Sequence, residues 1–399
     1  METYHIRKLI HKLPGHIIHS VPLPKPQVTE GYGSRSKIGD VCKNCGYKSV
    51  LVVTDKTLRS LGYEQAVVKS LENAGVACSL FAEIDTEPNI PLIDAGREAA
   101  EACNAECIVA LGGGSVLDTC KMIAAGAKMP HLHTRVLLRR LLIVPDKTLP
   151  MISVPSTAGT GAEITVAAVV KGSRGVKGST VLIGLNVTHV FLDSELTIHA
   201  PKMVTAACAI DALSHCIEGV ASDVKVSDAD MGLSLEGIKL ILNNLPIIMR
   251  EPENSEARLS MCRAAMYGGN AINTQLAGYV HAFAHSIGSK YHISHGQAIA
   301  LAMMPVLRHQ LEFCKAKYAM AARYCGLSDG PDDIAAEQLL QAFERLMADC
   351  GLDKIEKPVR PEDVEELTGM ITADSINYSS AMTFNREDIK QVLKQITHI

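Results

Sequence analysis

The sequence predicts an α/β domain built on a parallel sheet, followed by an all-helical domain. Two observations carry this. Short buried-strand runs alternate with helical patterns through the first half of the chain, and β signals nearly vanish after residue 193. The boundary falls near 195–200, so residues 1–197 form the first domain and 198–399 the second.

Residues 1–36 read as irregular, with Pro22, Pro24 and Pro26 opposing helix. Residues 49–54 (Ser-Val-Leu-Val-Val-Thr) are a buried-strand run ending at Asp55. A helix is expected over 57–73, a short strand over 77–81, a helix over 90–103 and a strand over 107–111. Gly112-Gly113-Gly114-Ser115 then leads into a helix from about 117 to 127. Residues 131–140, with His131, His133, Arg135, Arg139 and Arg140, read as a solvated excursion. Strands at 151–155 and 187–193 complete the half.

This order implies parallel βαβ units with a nucleotide at the strand C-termini. A phosphate approaches backbone amides only where no Cβ intrudes, which gives the run through Gly113, Gly114 and Ser115 a mechanical purpose. The run lacks the Gly-x-Gly-x-x-Gly spacing, so a tight βα turn explains it equally well. Asp55, at a strand end, is placed either to bond a ribose hydroxyl pair or to cap the next helix. Residues 155–163 (Pro-Ser-Thr-Ala-Gly-Thr-Gly-Ala-Glu) set the hydroxyls of Ser156, Thr157 and Thr160 in a small-residue loop suited to phosphate or ribose.

Helical patterns fill the second half at about 202–222, 227–250, 254–272, 279–290, 296–314, 335–350, 361–373 and 386–397. Two of them carry chemistry. In 206–219, Asp211 and His215 stand four apart within an apolar run, where an unpaired carboxylate is costly to bury. In 279–296, His281 and His285 are again four apart, and His295 follows a loop signal. One carboxylate and up to four imidazoles suit Fe(II), Zn(II), Co(II) or Mn(II), and are too rich in nitrogen for Mg or Ca. The spacing does not choose among the four histidines. With nucleotide candidates in one half and metal candidates in the other, reaction at an inter-domain cleft is expected.

The composition fits a globular protein: 399 residues, 47% hydrophobic and 21% charged. A net charge of −4 and a pI near 6.4 oppose a nucleic-acid or anionic-membrane partner. No apolar run is expected to reach membrane-spanning length, and the first residues lack an uninterrupted hydrophobic region for secretion. Arg7, Lys8 and Lys12 leave a mitochondrial leader open, while Glu2 and the lack of Ser/Arg enrichment disfavour it. The 12 cysteines are scattered, Cys42 and Cys45 forming a lone Cys-x-x-Cys, so free thiols and a cytoplasmic location are expected.

Four motifs occur in a familiar order: Gly112-Gly113-Gly114-Ser115-x-x-Asp118-x-x-Lys121, Pro155-x-Thr157-Ala158-Gly159-Thr160-Gly161-x-Glu163, Asp211-Ala212-Leu213-x-His215-x-x-Glu218, and His281-x3-His285-x9-His295-Gly296. From about residue 28 to at least 310 the chain resembles the iron-containing (group III) alcohol dehydrogenases. The resemblance implies a dinucleotide-binding α/β domain followed by a helical metal-binding domain, an architecture shared with dehydroquinate synthase. It implies Asp211, His215, His281 and His295 as metal ligands, with His285 beside the nicotinamide as the catalytic residue. It places Asp55, Asn89, Gly114, Ser115, Asp118, Thr157, Thr160 and Lys177 at the cofactor, and the loop readings add Gly113 and Ser156.

The implied activity is an NAD-dependent dehydrogenase of a small primary alcohol or diol, or a reductase of the matching aldehyde. Fe(II) is the metal and Zn(II) the alternative, and a homodimer or larger homo-oligomer is the expected assembly. A metal-dependent lyase like dehydroquinate synthase and a reductase like maleylacetate reductase are the rivals. Departures from the family pattern occur at Ser156, Ala209-Ile210, Ile299 and Asp193-Ser194-Glu195-Leu196, and none removes a ligand.

Overall fold

The computed structural model describes residues 23–172, 177–375 and 378–397. They divide into two compact units. One runs to Thr157 and resumes over Gly161–His199, and the other holds Ala158–Thr160 and the chain from Ala200 on.

The strands of the first unit are β1 (Gln27–Glu30), β2 (Ser49–Asp55), β3 (Ala77–Ile84), β4 (Cys107–Gly112), β5 (Leu141–Ile143), β6 (Met151–Pro155), β7 (Ala167–Lys171), β8 (Lys177–Ile183) and β9 (Val187–Leu192). Six form an all-parallel sheet in the order β1-β9-β6-β4-β2-β3. β4 lies near the middle and is buried along its whole length, which explains its unbroken apolar run. Side chains such as Val52, Val109, Leu111, Ile152 and Phe191 make the core on one face.

The helices of this unit are α1 (Ile38–Asn44), α2 (Lys56–Ser60), α3 (Gln65–Asn73), α4 (Ile90–Ala102), α5 (Gly114–Lys128), α6 (Thr134–Leu137) and α7 (Glu195–Ile198). After β2 the chain places β3 on one side and β4 on the other, so the sheet reverses its winding between β2 and β4. Thr54 pairs with Leu111 and Gly112 with Pro155. The C-terminal ends of β2, β4 and β6 therefore lie side by side, and the loops that follow them open on one edge.

Several local expectations are corrected. The helix expected over 57–73 is two, α2 and α3, because Gly62 takes φ 74° and breaks the run. The irregular stretch 1–36 contains β1, and the excursion at 131–140 contains α6. The helix expected from 117 starts three residues earlier, at Gly114. A second sheet, β5-β8-β7, was not foreseen. β5 has three residues, and Leu141, Ile143 and Val169 face solvent, so the period-two pattern is blurred.

The second unit is helical: α8 (Lys202–Ala221), α9 (Asp228–Arg250), α10 (Ser255–Gln275), α11 (Tyr279–Tyr291), α12 (His295–His309), α13 (Leu311–Tyr324), α14 (Asp332–Asp349), α15 (Val364–Asp374) and α16 (Arg386–Ile396). The run expected over 296–314 is two helices that meet at Gln310. α8 packs against α9, α10 and α12 and is apolar on nearly every side. By length and composition it reaches membrane-spanning size, contrary to expectation, yet 78% of its apolar window is buried among the other helices.

Candidate metal centre

α8 is the helix that an isolated carboxylate should not inhabit. Asp211 and His215 occupy one stripe of it, and both are almost fully buried. α11 brings His281 to the same place, and the first residue of α12, His295, closes it. Asp211 Oδ1 lies 3.2 Å from His295 Nε2, 3.6 Å from His215 Nε2 and 3.7 Å from His281 Nε2. The rings of His215 and His281 stack at 4.6 Å between centroids. The donor atoms of Asp211, His281 and His295 all lie within 4.8 Å of one another.

The electrostatics match a cation site. Burial alone would raise the Asp211 carboxyl, but the surrounding imidazoles of His215, His295 and His281 hold it well below the usual range. Burial pulls His215 down to about 4 against the attraction of Asp211. Burial also opposes charge on His281, yet Glu218 and Asp211 together push it up to about 10. A proton there does for the lone carboxylate what a metal ion does when bound. Asp211 Oδ1 and His281 Nε2 are buried with no hydrogen-bond partner among the described residues. Such orphans are rare, and they converge on one point, so this donor set fits a divalent transition ion.

His285 stands apart from these four. It is one turn along α11 from His281, and its side chain is 40% exposed. Its Nδ1 lies 2.8 Å from the phenol oxygen of Tyr378 and 3.4 Å from Asp374 Oδ2. Tyr378 in turn donates to Asp374 Oδ2 at 3.1 Å. Dense packing and the nearby His295 and His281 hold the His285 imidazole below its ordinary pKa, with Asp374 opposing.

Sequence reasoning gave no role to Glu218, Asp374 or Tyr378. Glu218 carried a signal, since it continues the stripe of Asp211 and His215 at the next helical turn. Asp374 and Tyr378 lie 89 and 93 residues from His285, and no spacing could reveal them.

In the other unit, α5 follows β4 with no side-chain hydrogen bond capping its N-terminus. A Cβ on Gly113 would meet the Thr157 side chain at 3.3 Å, so the β4 and β6 loops nearly touch, with Ser156 also close. Ser115 begins α5. Asp55 lies at the neighbouring strand end, where its Oδ1 accepts from Leu58 N–H at 2.8 Å and caps α2.

Two other expected cofactor residues are engaged in the scaffold. Asn89 caps α4 through Leu92 N–H and donates to Thr86 and Glu87. Asp118 accepts from the buried Lys121 ammonium at 2.9 Å and from Val169 N–H at 2.9 Å. Thr160 belongs to the helical unit, beside Gly159, whose Cβ would press on Cys208. Lys177 opens β8, and its side chain lies outside the described residues.

A family model described as iron-containing alcohol dehydrogenase matches residues 25–194. A second, for the C-terminal part of the Fe-containing alcohol dehydrogenase family, matches residues 205–397. The bifunctional aldehyde-alcohol dehydrogenase of Escherichia coli (strain K12) is 31% identical over 360 residues, 83% of this chain. The chain spans only 40% of that protein's length. The NAD-dependent methanol dehydrogenase of Bacillus methanolicus is 30% identical over 92% of this chain and 97% of its own. A crystal structure of a 1,3-propanediol oxidoreductase superposes with a TM-score of 0.86 at 28% identity, covering 94% of this chain and 99% of that one.

Proposed function

Because the chain belongs to the iron-containing alcohol dehydrogenase family and is thereby an alcohol or aldehyde oxidoreductase, we propose that it uses NAD(H) and Fe(II), with Zn(II) as the alternative ion, on a small primary alcohol or diol or the matching aldehyde. The observation that carries the metal half is the buried, unpartnered Asp211 Oδ1 facing three imidazole Nε2 atoms.

Asp211, His215, His281 and His295 hold the ion in this reading. Bound there, it supplies Lewis acidity at the substrate oxygen and lowers the pKa of an alcohol. Burial of Asp211, His215 and His281 keeps water from competing for the donors. His285 handles the proton. Nδ1 faces Tyr378 and Asp374, and in this reading it donates there while Tyr378 gives its hydrogen to Asp374, which leaves the lone pair on Nε2. An exposed imidazole with Nε2 free takes an alcohol proton and passes it to water.

NAD supplies or accepts the hydride. Asp55, Gly113, Gly114, Ser115, Ser156 and Thr157 hold it in this reading, because they line the adjacent ends of β2, β4 and β6 at the winding reversal. Asn89, Asp118, Thr160 and Lys177 are proposed as further contacts by family likeness. The test is a screen of NADH oxidation over small aldehydes with Fe(II) or Zn(II) added to metal-free protein. Metal-dependent turnover of a short aldehyde is expected, and turnover indifferent to metal overturns the reading.

A further inference from the structure

Glu218 is built into the metal centre without being one of its donors. It lies on α8, on the same stripe as Asp211 and His215, and is 2% exposed. A carboxylate so buried must be satisfied, and this one is. Its Oε1 accepts from the backbone N–H of Val280 at 2.6 Å, and its Oε2 lies 2.5 Å from His281 Nδ1.

A carboxylate only accepts, so Nδ1 of His281 carries the hydrogen and Nε2 is the face turned to Asp211 Oδ1. Space for this contact is made by Gly278, the N-cap of α11, where a Cβ would stand 2.8 Å from Glu218 Oε1. A Cβ there would overlap the Glu218 side chain and force it to shift.

We propose that Glu218 is a positioning residue of the metal centre. It fixes the tautomer and ring orientation of His281, and through Val280 it pins the start of α11 to the helix that bears Asp211 and His215. The proposal rests on the reading of those residues as metal ligands. A ligating histidine whose second nitrogen is held by a carboxylate is more basic and loses less freedom on binding.

Glu218→Gln separates this role from plain structural support. If the amide oxygen keeps the bond from Val280, the amide NH2 faces His281 Nδ1. The ring must then accept at Nδ1, which moves its hydrogen to Nε2 and removes the lone pair from the ion. If the amide is reversed, it meets Val280 donor to donor. Either arrangement harms the site, whereas side-chain volume barely changes.

The measurements are the Zn(II) and Co(II) dissociation constants by chelator competition, the visible spectrum of the Co(II) form, and the melting temperature of the metal-free protein. Metal affinity should fall about 10–100-fold in Glu218→Gln, with an altered Co(II) spectrum. Glu218→Asp, which keeps the charge but shortens the reach, should show a smaller loss and serves if the Gln variant does not fold. Unchanged affinity in either folded variant overturns the proposal, as does a lowered metal-free melting temperature with wild-type affinity and spectrum. A wild-type protein that binds neither ion overturns the metal reading itself, a distinguishable failure.

Discussion

The His285 ring meets the phenol oxygen of Tyr378 through Nδ1, at 2.8 Å, and Tyr378 passes its own hydrogen on to Asp374. A helix residue near the proposed metal ligands is thus tied to side chains at and after the end of α15. Replacing Tyr378 by Phe leaves His285 with Asp374 alone, at 3.4 Å, and loosens its tautomer and orientation. Tyr378→Phe should retain full metal occupancy and lose turnover by roughly tenfold or more, while His285→Phe or His285→Ala should lose about 10²–10⁴-fold, the usual worth of a proton-transfer group. The checks are metal analysis beside kcat and its pH profile. A profile of unchanged shape in His285→Phe, with only a higher KM for NADH, would mean that the ring merely packs against the cofactor.

The proposed metal ligands answer to a different measurement. His215→Ala removes one donor and leaves the buried Asp211 charge poorly compensated. The purified variant should carry little tightly bound metal, and its melting temperature should no longer respond to added ion. The wild-type protein should gain about 2.7 kcal/mol when free ion stands at one hundred times its dissociation constant. Metal retained in His281→Ala but lost from His285→Ala would reverse the assignment of those two histidines.

What the sequence made legible follows the strength of local signals. β4 was plain because a strand buried on both faces needs six apolar residues in a row, and Cys107–Gly112 supplies them. Asp211 and His215 stood out because a carboxylate within so apolar a helix demands a partner. The sheet β5-β8-β7 hid because its outer face exposes Leu141, Ile143 and Val169, so apolar residues fall on both sides. The junction at Gln310 hid because no Gly or Pro marks it, while Pro305 sits inside α12. Tyr378 and Asp374 lie outside the four motifs that the sequence offered, and only tertiary packing brings them to His285. The choice among four histidines came from resemblance, since spacing alone treats His281 and His285 alike.

Asp55 caps α2 and is proposed to meet the ribose as well. Its Oδ1 forms the cap, and in the proposed reading its carboxylate also accepts from the ribose hydroxyls of NAD and repels a 2′-phosphate. Asp55→Gly should raise the ratio of kcat/KM with NADPH to that with NADH. Glycine is a tolerable N-cap, so the stability cost should be only a few tenths of a kcal/mol. Wild-type protein that uses NADPH and NADH equally well would remove Asp55 from the ribose.

Glu163 gives the unit a pH dependence of its own. The residue closes the loop after β6, is 2% exposed, and burial pushes its carboxyl from 4.5 up to about 7, with only partial relief from its own backbone and the Lys121 ammonium. A carboxyl raised in the folded state holds its proton there while the unfolded chain has lost it. Between about pH 4.5 and 7 the folded state therefore binds more protons, and stability falls as pH rises. The contribution is fully present below the unfolded value and gone above about 7. A shift of this size corresponds to roughly 2–4 kcal/mol. Glu163→Gln keeps the shape and cannot ionise, so it should melt close to wild type at pH 5 and at a higher temperature at pH 8. Measuring unfolding of metal-free protein across that range keeps the imidazole cluster's metal affinity out of the comparison. A variant less stable than wild type at pH 8 would show that the ionised carboxylate is held by Lys121 strongly enough to outweigh its burial.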